Sequence, residues 1–329
     1  MKRILRPSCR VAAVGYGAVC GLEERRGPQG ERFDLCVEDD RFGMPSFEQA
    51  EGEMARMALS FALGRAGCEC PDLLLAGDLQ NQCVASSQGP AAVGAPFLGL
   101  FGACSTMAEG LGIGMLALSG APELSTVAAV TSSHNAAAER QFRTPLEYGA
   151  QRTPTAQWTA TAAGAVVLGR RGDVALDGFL PGRVVDAKIT DPANMGAAMA
   201  PAAADTLLAY FRESGERPED FDLILTGDLG EEGSELLYIL LGDRLPHFAE
   251  RHKDGGCMLY DKSTQDVHAG GSGCGCIASM LAAVLLPDMQ AGRLHRLLAV
   301  GTGALMNPGS VQQGGSIAGV AHLVSFRRD

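Results

Sequence analysis

Asp72-Leu-Leu-Leu-Ala-Gly-Asp78-Leu79 and Asp222-Leu-Ile-Leu-Thr-Gly-Asp228-Leu229 are one phrase written twice, 150 residues apart. In each copy a short apolar run lies between acidic residues and ends at Gly-Asp, the pattern of a buried strand closed by a turn. Each copy also follows a segment of helical period. In the first half this is Phe47 to Gly67, with Met54, Met57, Ala58, Phe61 and Ala62 on one face and Gly67 as a stop. In the second it is Met199 to Gly215, carrying Ala203, Leu207, Leu208 and Phe211.

The correspondence continues outward. Gly102-Ala-Cys104-Ser-Thr-Met-Ala-Glu-Gly-Leu111 aligns with Ser272-Gly-Cys274-Gly-Cys-Ile-Ala-Ser-Met-Leu281, and Val127–Thr131 with Leu297–Gly301, both at an offset of 170. Ala162–Leu168 pairs with Ile317–Leu323. Four blocks in one order predict a duplication, with halves at 1–175 and 176–329 and a junction near Arg170 to Asp191. Strands alternating with helices predict an α/β fold whose sheets are mixed and mostly parallel. The stretch Ser105 to Leu118, made of small residues and Met, predicts a helix buried between the two sheets. The halves then stack as sheet, helix pair, sheet, with Cys104 at the N-terminus of the first central helix.

Composition narrows the function. The chain has 329 residues, 46% hydrophobic and 20% charged, the balance of a folded globular protein. A net charge of −11, no Lys/Arg run longer than a pair and 5% aromatics argue against nucleic acid as a partner. Ten cysteines without a secretory leader fit a reducing compartment, and a soluble protein on the cytoplasmic side is expected. The uncharged stretch Leu79 to Ala108 is broken by Pro90, Pro96 and several glycines and carries Gln80, Asn81 and Gln82, so it reads as protein interior, not as a membrane span. Cys68-x-Cys70 and Cys274-x-Cys276 lack the spacing of a zinc knuckle. No acidic calcium loop, phosphate-binding loop or His-Glu-x-x-His motif is present. Gly15-Tyr-Gly17 follows an apolar strand but leads into a charged loop, which is poor ground for a dinucleotide. No metal site and no cofactor are expected.

With the duplication, the Gly-Ala-Cys-Ser turn (102–105) and the Gly-Gly-Ser-Gly turn (270–273), the chain resembles the thiolase superfamily. Longer blocks resemble one branch of it, the stage V sporulation protein AD (SpoVAD) family: 73–82, 101–106, 131–143, 189–206, 223–229 and 269–276. The resemblance implies a five-layer αβαβα fold and a part in moving dipicolinic acid, with calcium, into the developing spore. It also implies a homodimer, action beside other SpoVA membrane proteins, and peripheral association with the spore inner membrane.

The thiolase resemblance also supplies expectations for the site. Cys104 stands at the nucleophile position, where a helix N-terminus favours a thiolate, or else it is a small packing residue. His268 stands where degradative thiolases place a His, or is a packed loop residue. The second acid/base Cys would fall near Val300-Gly301-Thr302, and is missing. Asn307 is the only group near the loop where condensing enzymes place His or Asn, and reads equally as a turn residue before Pro308. The catalytic set is therefore incomplete. Ligand-contacting candidates are Cys104, His134, Arg143, Arg152, Met199, His268 and Asn307. One of Arg140, Arg143 or Arg152 would clamp an anion, and a Met-bearing loop from Asp186 to Pro201 would cover the pocket. Asp78 and Asp228, as matched twins, are expected to cap loops or helices. The alternatives are an acyltransferase or condensing enzyme using Cys104 on acyl-CoA-type substrates, and a structural partner of a membrane complex with a vestigial pocket.

Overall fold

Each half begins its outer helix with a polar cap. In the computed structural model, which describes residues 3–142 and 151–329, Ser46 caps α1 (Phe47–Ala66) by accepting the Gln49 N–H, and Gly67 ends it in the left-handed region at φ 63°. The matching second-half helix starts four residues before the expected Met199. Asn194 accepts the Ala197 N–H, so the helix runs Met195–Ser214, with Gly215 as its left-handed stop. The segment expected as a loop through Pro201 is therefore helical from Met195 onward, because the Asn cap outweighs Pro201, which sits inside the second turn.

The strands are β1 (Ala12–Cys20), β2 (Leu35–Cys36), β3 (Leu73–Gly77), β4 (Phe97–Gly99), β5 (Val127–Ser133), β6 (Trp158–Thr159) and β7 (Ala162–Gly169) in the first half. The second half has β8 (Val174–Leu180), β9 (Leu223–Thr226), β10 (His252–Asp254), β11 (Gly271–Ser272), β12 (Arg296–Leu305) and β13 (Ala318–Arg328). Across the molecule the order is β10-β9-β12-β13-β8-β1-β7-β5-β3-β4, so the two halves repeat one strand order outward from the β8–β1 junction, with β1 matching β8 and β3 matching β9. In the main sheet the halves join where Ala12 and Ala13 pair with Ala175 and Val174, and they meet again in the short β6–β11 ladder. Within each half one strand, β7 or β13, runs against the other four. Asp72 and Asp222, which open the repeated phrase, perform one duty twice. Asp72 accepts the Ser125 and Thr126 N–H groups, and Asp222 those of His295 and Arg296, clamping the strand to the start of its parallel neighbour.

Between the sheets of the two halves lie α2 (Thr106–Gly120) and the helix opening at Cys274, while α3 (Asn135–Phe142) follows β5 and packs against β6 and α1. With α4 the Met195–Ser214 helix, α5 is Gly230–Leu241 and α6 is Cys274–Met280, which continues through a π turn to Gln290. Three apolar cores separate the layers. One joins α1 to the first sheet, one joins α4 and α5 to the second, and the largest encloses α2 and α6. Met107, Leu111, Met115 and Leu118 of α2 are fully buried there, each worth roughly 2–3 kcal/mol of transfer free energy. Close approach demands the small residues. A Cβ on Gly164 of β7 would lie 2.2 Å from the Ala278 backbone of α6. Among the described residues no helix is long and apolar enough to cross a membrane. The stretch 79–108 folds as short helical turns and the edge strand β4.

Candidate functional site

Cys104 sits on a one-turn bend, Ala103–Ser105, that feeds directly into α2. The bend is built by local side chains. Ser105 Oγ donates to the Gly102 carbonyl at 2.6 Å, and Thr106 Oγ1 donates to the Ala103 carbonyl at 2.6 Å while accepting the Gly102 N–H at 3.0 Å. Ala103 is held at φ 50°, a left-handed conformation that costs an L-residue roughly 1–2 kcal/mol and turns the next side chain out of the helix direction. The twin cysteine of the second half closes the bend from the other side, the Cys274 thiol donating to the Ala103 carbonyl at 3.0 Å.

The residue that organises the floor is Asp228. Its carboxylate accepts Ser272 Oγ–H at 3.0 Å, the Gly273 N–H at 2.9 Å and Thr302 Oγ1–H at 2.7 Å. Gln157 Nε2 spans the carbonyls of Asp228 and Gly271, at 2.6 and 3.0 Å. Ser272 Oγ in turn lies 4.0 Å from Cys104 Sγ. The charge balance suppresses thiolate. Burial first, then the Asp228 carboxylate and the Cys274 thiol, push the Cys104 thiol well above its ordinary pKa. Burial likewise raises Asp228, against its hydrogen bonds from Thr302 and Gly273. Burial and the neighbouring carboxylate thus favour the thiol over the thiolate.

Strand β12 passes beneath the bend without room for another side chain. A Cβ on Gly303 would stand 2.5 Å from the Gly102 carbonyl, and one on Gly301 2.9 Å from that of Ser105. The acid/base position missing from 300–302 is thus closed by packing, and Thr302 spends its hydroxyl on Asp228.

Above the thiol is a narrow cavity of about 40 Å³. Phe101, Ala138, Phe142, Met195 and Met306 form its walls, with Thr159, Ser272 and Glu139 as the polar groups. Phe142 and Met306 also border a wider groove of about 290 Å³ with Pro192, Ala193 and Val311. Among the described residues no Lys, Arg or His lines the cavity.

The other predicted site residues are distributed as follows. Met199 is buried in the core of α4 and does not line the cavity; Met195, one turn earlier, does. His134 is buried, its Nε2 2.7 Å from the Asp40 carbonyl and its ring 5.3 Å from that of Phe47, and burial lowers its pKa. It does not line the cavity, but α3, which it precedes, supplies Ala138, Glu139 and Phe142. His268, at φ 52°, has Nε2 2.9 Å from Asp266 Oδ1. Arg152 meets the same carboxylate at 3.0 Å and lies 5.0 Å over the Trp158 ring. These two belong to one surface cluster on the β6–β11 ladder, whose Thr159 and Ser272 reach the cavity. Arg140 pairs with Glu48. Asn307 is exposed and caps the turn Pro308–Gln312 by accepting the Ser310 N–H at 3.0 Å. Arg143 lies outside the described residues. Sequence reasoning gave Asp228 only a capping duty and missed Ser272, Thr302 and Gln157 as parts of the site. The repeated Gly-Asp ending marked Asp228, and Ser272 stands two residues before the twin of Cys104.

Halves of matching strand order, a central helix pair and a buried cysteine on a strained bend beneath a cavity define the thiolase-like class. Solved structures agree on the fold. 3-Oxoacyl-[acyl-carrier-protein] synthase III from Aquifex aeolicus matches at TM-score 0.60 and 13% identity, covering 96% of this chain and 99% of that one. A variant of Xanthomonas campestris OleA matches at TM-score 0.62 and 15% identity, covering 98% and 99%, and OleA with bound cerulenin at 0.60 and 14%, covering 95% and 96%. Within that class the chain belongs to the stage V sporulation protein AD family, whose model matches residues 3–327. It is 41% identical over 315 residues to stage V sporulation protein AD of Bacillus subtilis (strain 168), covering 95% of this chain and 93% of the relative.

Proposed function

We propose that the chain serves sporulation by binding dipicolinic acid, as its calcium complex, in the cavity above Cys104 and the groove that adjoins it at Phe142 and Met306, and does not transform it. The observation that carries this reading is the buried Cys104 side chain beneath a cavity that no histidine lines among the described residues. The cavity, with the wider groove that shares Phe142 and Met306, keeps a place for a small ligand, but no lining histidine among the described residues supplies the base that acyl transfer requires. Its polar groups favour the calcium form. A free dicarboxylate would meet, behind Ser272, the Asp228 carboxylate, with no Lys, Arg or His lining the cavity among the described residues. Calcium neutralises the ligand and accepts hard oxygen donors such as Thr159, Ser272 and Glu139. The protein acts as a homodimer joined along the edge strand β4, where Phe97, Leu98 and Phe101 are exposed, and delivers its cargo to membrane proteins of the same system.

The second reading is an acyltransferase or condensing enzyme, favoured by the seat of Cys104 on its bend. Two measurements separate them. Equilibrium dialysis with dipicolinate gives binding in calcium and weaker binding in a chelator, whereas no binding at millimolar ligand overturns the first reading. Intact mass after incubation with acetyl-CoA shows no adduct; an acyl adduct absent from Cys104→Ala establishes the second.

A further inference from the structure

Away from the cavity, Cys20 and Cys36 stand directly opposite one another as the paired residues that end β1 and the two-residue strand β2. Their sulfurs are 2.9 Å apart, the Cys20 thiol donating to Cys36, and Cys36 lies 3.5 Å from the Gly30 carbonyl. Adjacent strands run about 4.8 Å apart, within the roughly 4.4–6.8 Å Cα separation that a disulfide spans. The pair can therefore be bridged without moving backbone. Access differs between the two. Cys20 is fully buried, whereas Cys36 is partly exposed on a strand that pairs only with β1.

We propose that Cys20 and Cys36 form a reactive dithiol that exchanges with small-molecule disulfides to close an intrachain Cys20–Cys36 bridge. The Cys36 thiolate attacks one sulfur of the reagent, forming a mixed disulfide and expelling the first thiolate, which takes up the proton Cys36 released. Cys20 then attacks Cys36 Sγ, the Cys20–Cys36 bond forms, and the second reagent thiol leaves with the Cys20 proton. Two protein thiols are oxidised and one reagent disulfide is reduced to two thiols. The electrostatics match these roles. The hydrogen bond from Cys20 and the Arg25 charge lower the Cys36 thiol, against burial and the Glu31 and Glu24 carboxylates, while the same bond and burial raise Cys20. Cys104, Cys274 and Cys276 serve as internal controls, since burial holds all three well above the ordinary thiol range. The bridge would tie the strap 37–45 to β1, and this strap carries the Asp40 carbonyl that holds His134 ahead of α3.

The test uses the full chain and oxidised glutathione, followed by alkylation, trypsin and mass spectrometry. Residues 11–25 and 33–41 are separate tryptic peptides, so the bridge appears as a linked pair with two hydrogens lost. The proposal expects that pair as the main product, reversed by dithiothreitol, and a persistent glutathione adduct on Cys36 in Cys20→Ala. Glutathione remaining on Cys36 in the unaltered protein, or modification of the exposed Cys70 with residues 20 and 36 unlinked, overturns it. The wild-type map decides the matter even if the variant fails to fold.

Discussion

Replacing Asp228 with alanine removes the acceptor for three buried donors: the Gly273 N–H, the Ser272 hydroxyl and the Thr302 hydroxyl. The amide cannot turn away, and an unpaired buried donor costs about 1–3 kcal/mol; each hydroxyl can rotate, so its loss is nearer 1 kcal/mol. The expected destabilisation is therefore about 3–5 kcal/mol, with the 271–273 turn loosened beneath Cys104. The pH dependence has a definite sign. Burial raises the Asp228 pKa in the folded state, so the folded chain binds more protons than the unfolded one, and this residue's contribution is greatest at low pH and falls as pH rises past the unfolded carboxylate value near ~4. Asp254, raised to about 7 partly by the Asp228 charge, would relax toward its ordinary value in the variant, which acts in the same direction. The penalty of Asp228→Ala is thus larger at pH 5 than at pH 8. Urea unfolding of both proteins at the two pH values reads the difference. A variant as stable as wild type at pH 5, or a penalty that grows with pH, would refute the reasoning.

Three further outcomes follow from the same geometry. Gly303→Ala drives a Cβ to 2.5 Å from the Gly102 carbonyl and should cost about 2 kcal/mol or more while displacing Cys104, seen as a lower Tm and faster alkylation of that thiol. Glu24, raised to about 7 by burial although Tyr260 donates to it, loses its stabilising contribution as pH climbs from about 4 to 7; Glu24→Gln should flatten the wild-type stability curve over that window in thermal melts. Arg152→Ala gives up its stacking on Trp158 and the exposed pair with Asp266, so about 1 kcal/mol or less should be lost in urea titrations, with the Cys104 bend intact.

The repeated phrase made the fold legible because its two copies occupy equivalent strands and their leading aspartates make equivalent contacts. Helix stops were readable for the same local reason, since Gly67 and Gly215 supply left-handed caps. The site was less legible because equivalence in sequence hid divergence in duty. Asp78 binds its own loop through Ser86, whereas Asp228 reaches across to Ser272 and Thr302 under the thiol. Likewise, Asn194 is a local N-cap signal masked by Pro201 seven residues on, and its cap converts an expected covering loop into a helix with Met195, not Met199, at the cavity. The side-chain partners of His268 and Arg152 depend on one exposed carboxylate, Asp266, whose position is set by the turns of the loop 261–270 that leads into β11.

The most direct measurement is titration calorimetry of calcium dipicolinate into the full chain and into Ala138→Phe, which fills the cavity from α3. The account predicts one site per chain for the wild type, affinity at least about tenfold weaker in the variant, a loss of roughly 1.4 kcal/mol, and an unchanged folded spectrum. Equal binding by both proteins, or heat that persists when Cys104 is walled off, would contradict it.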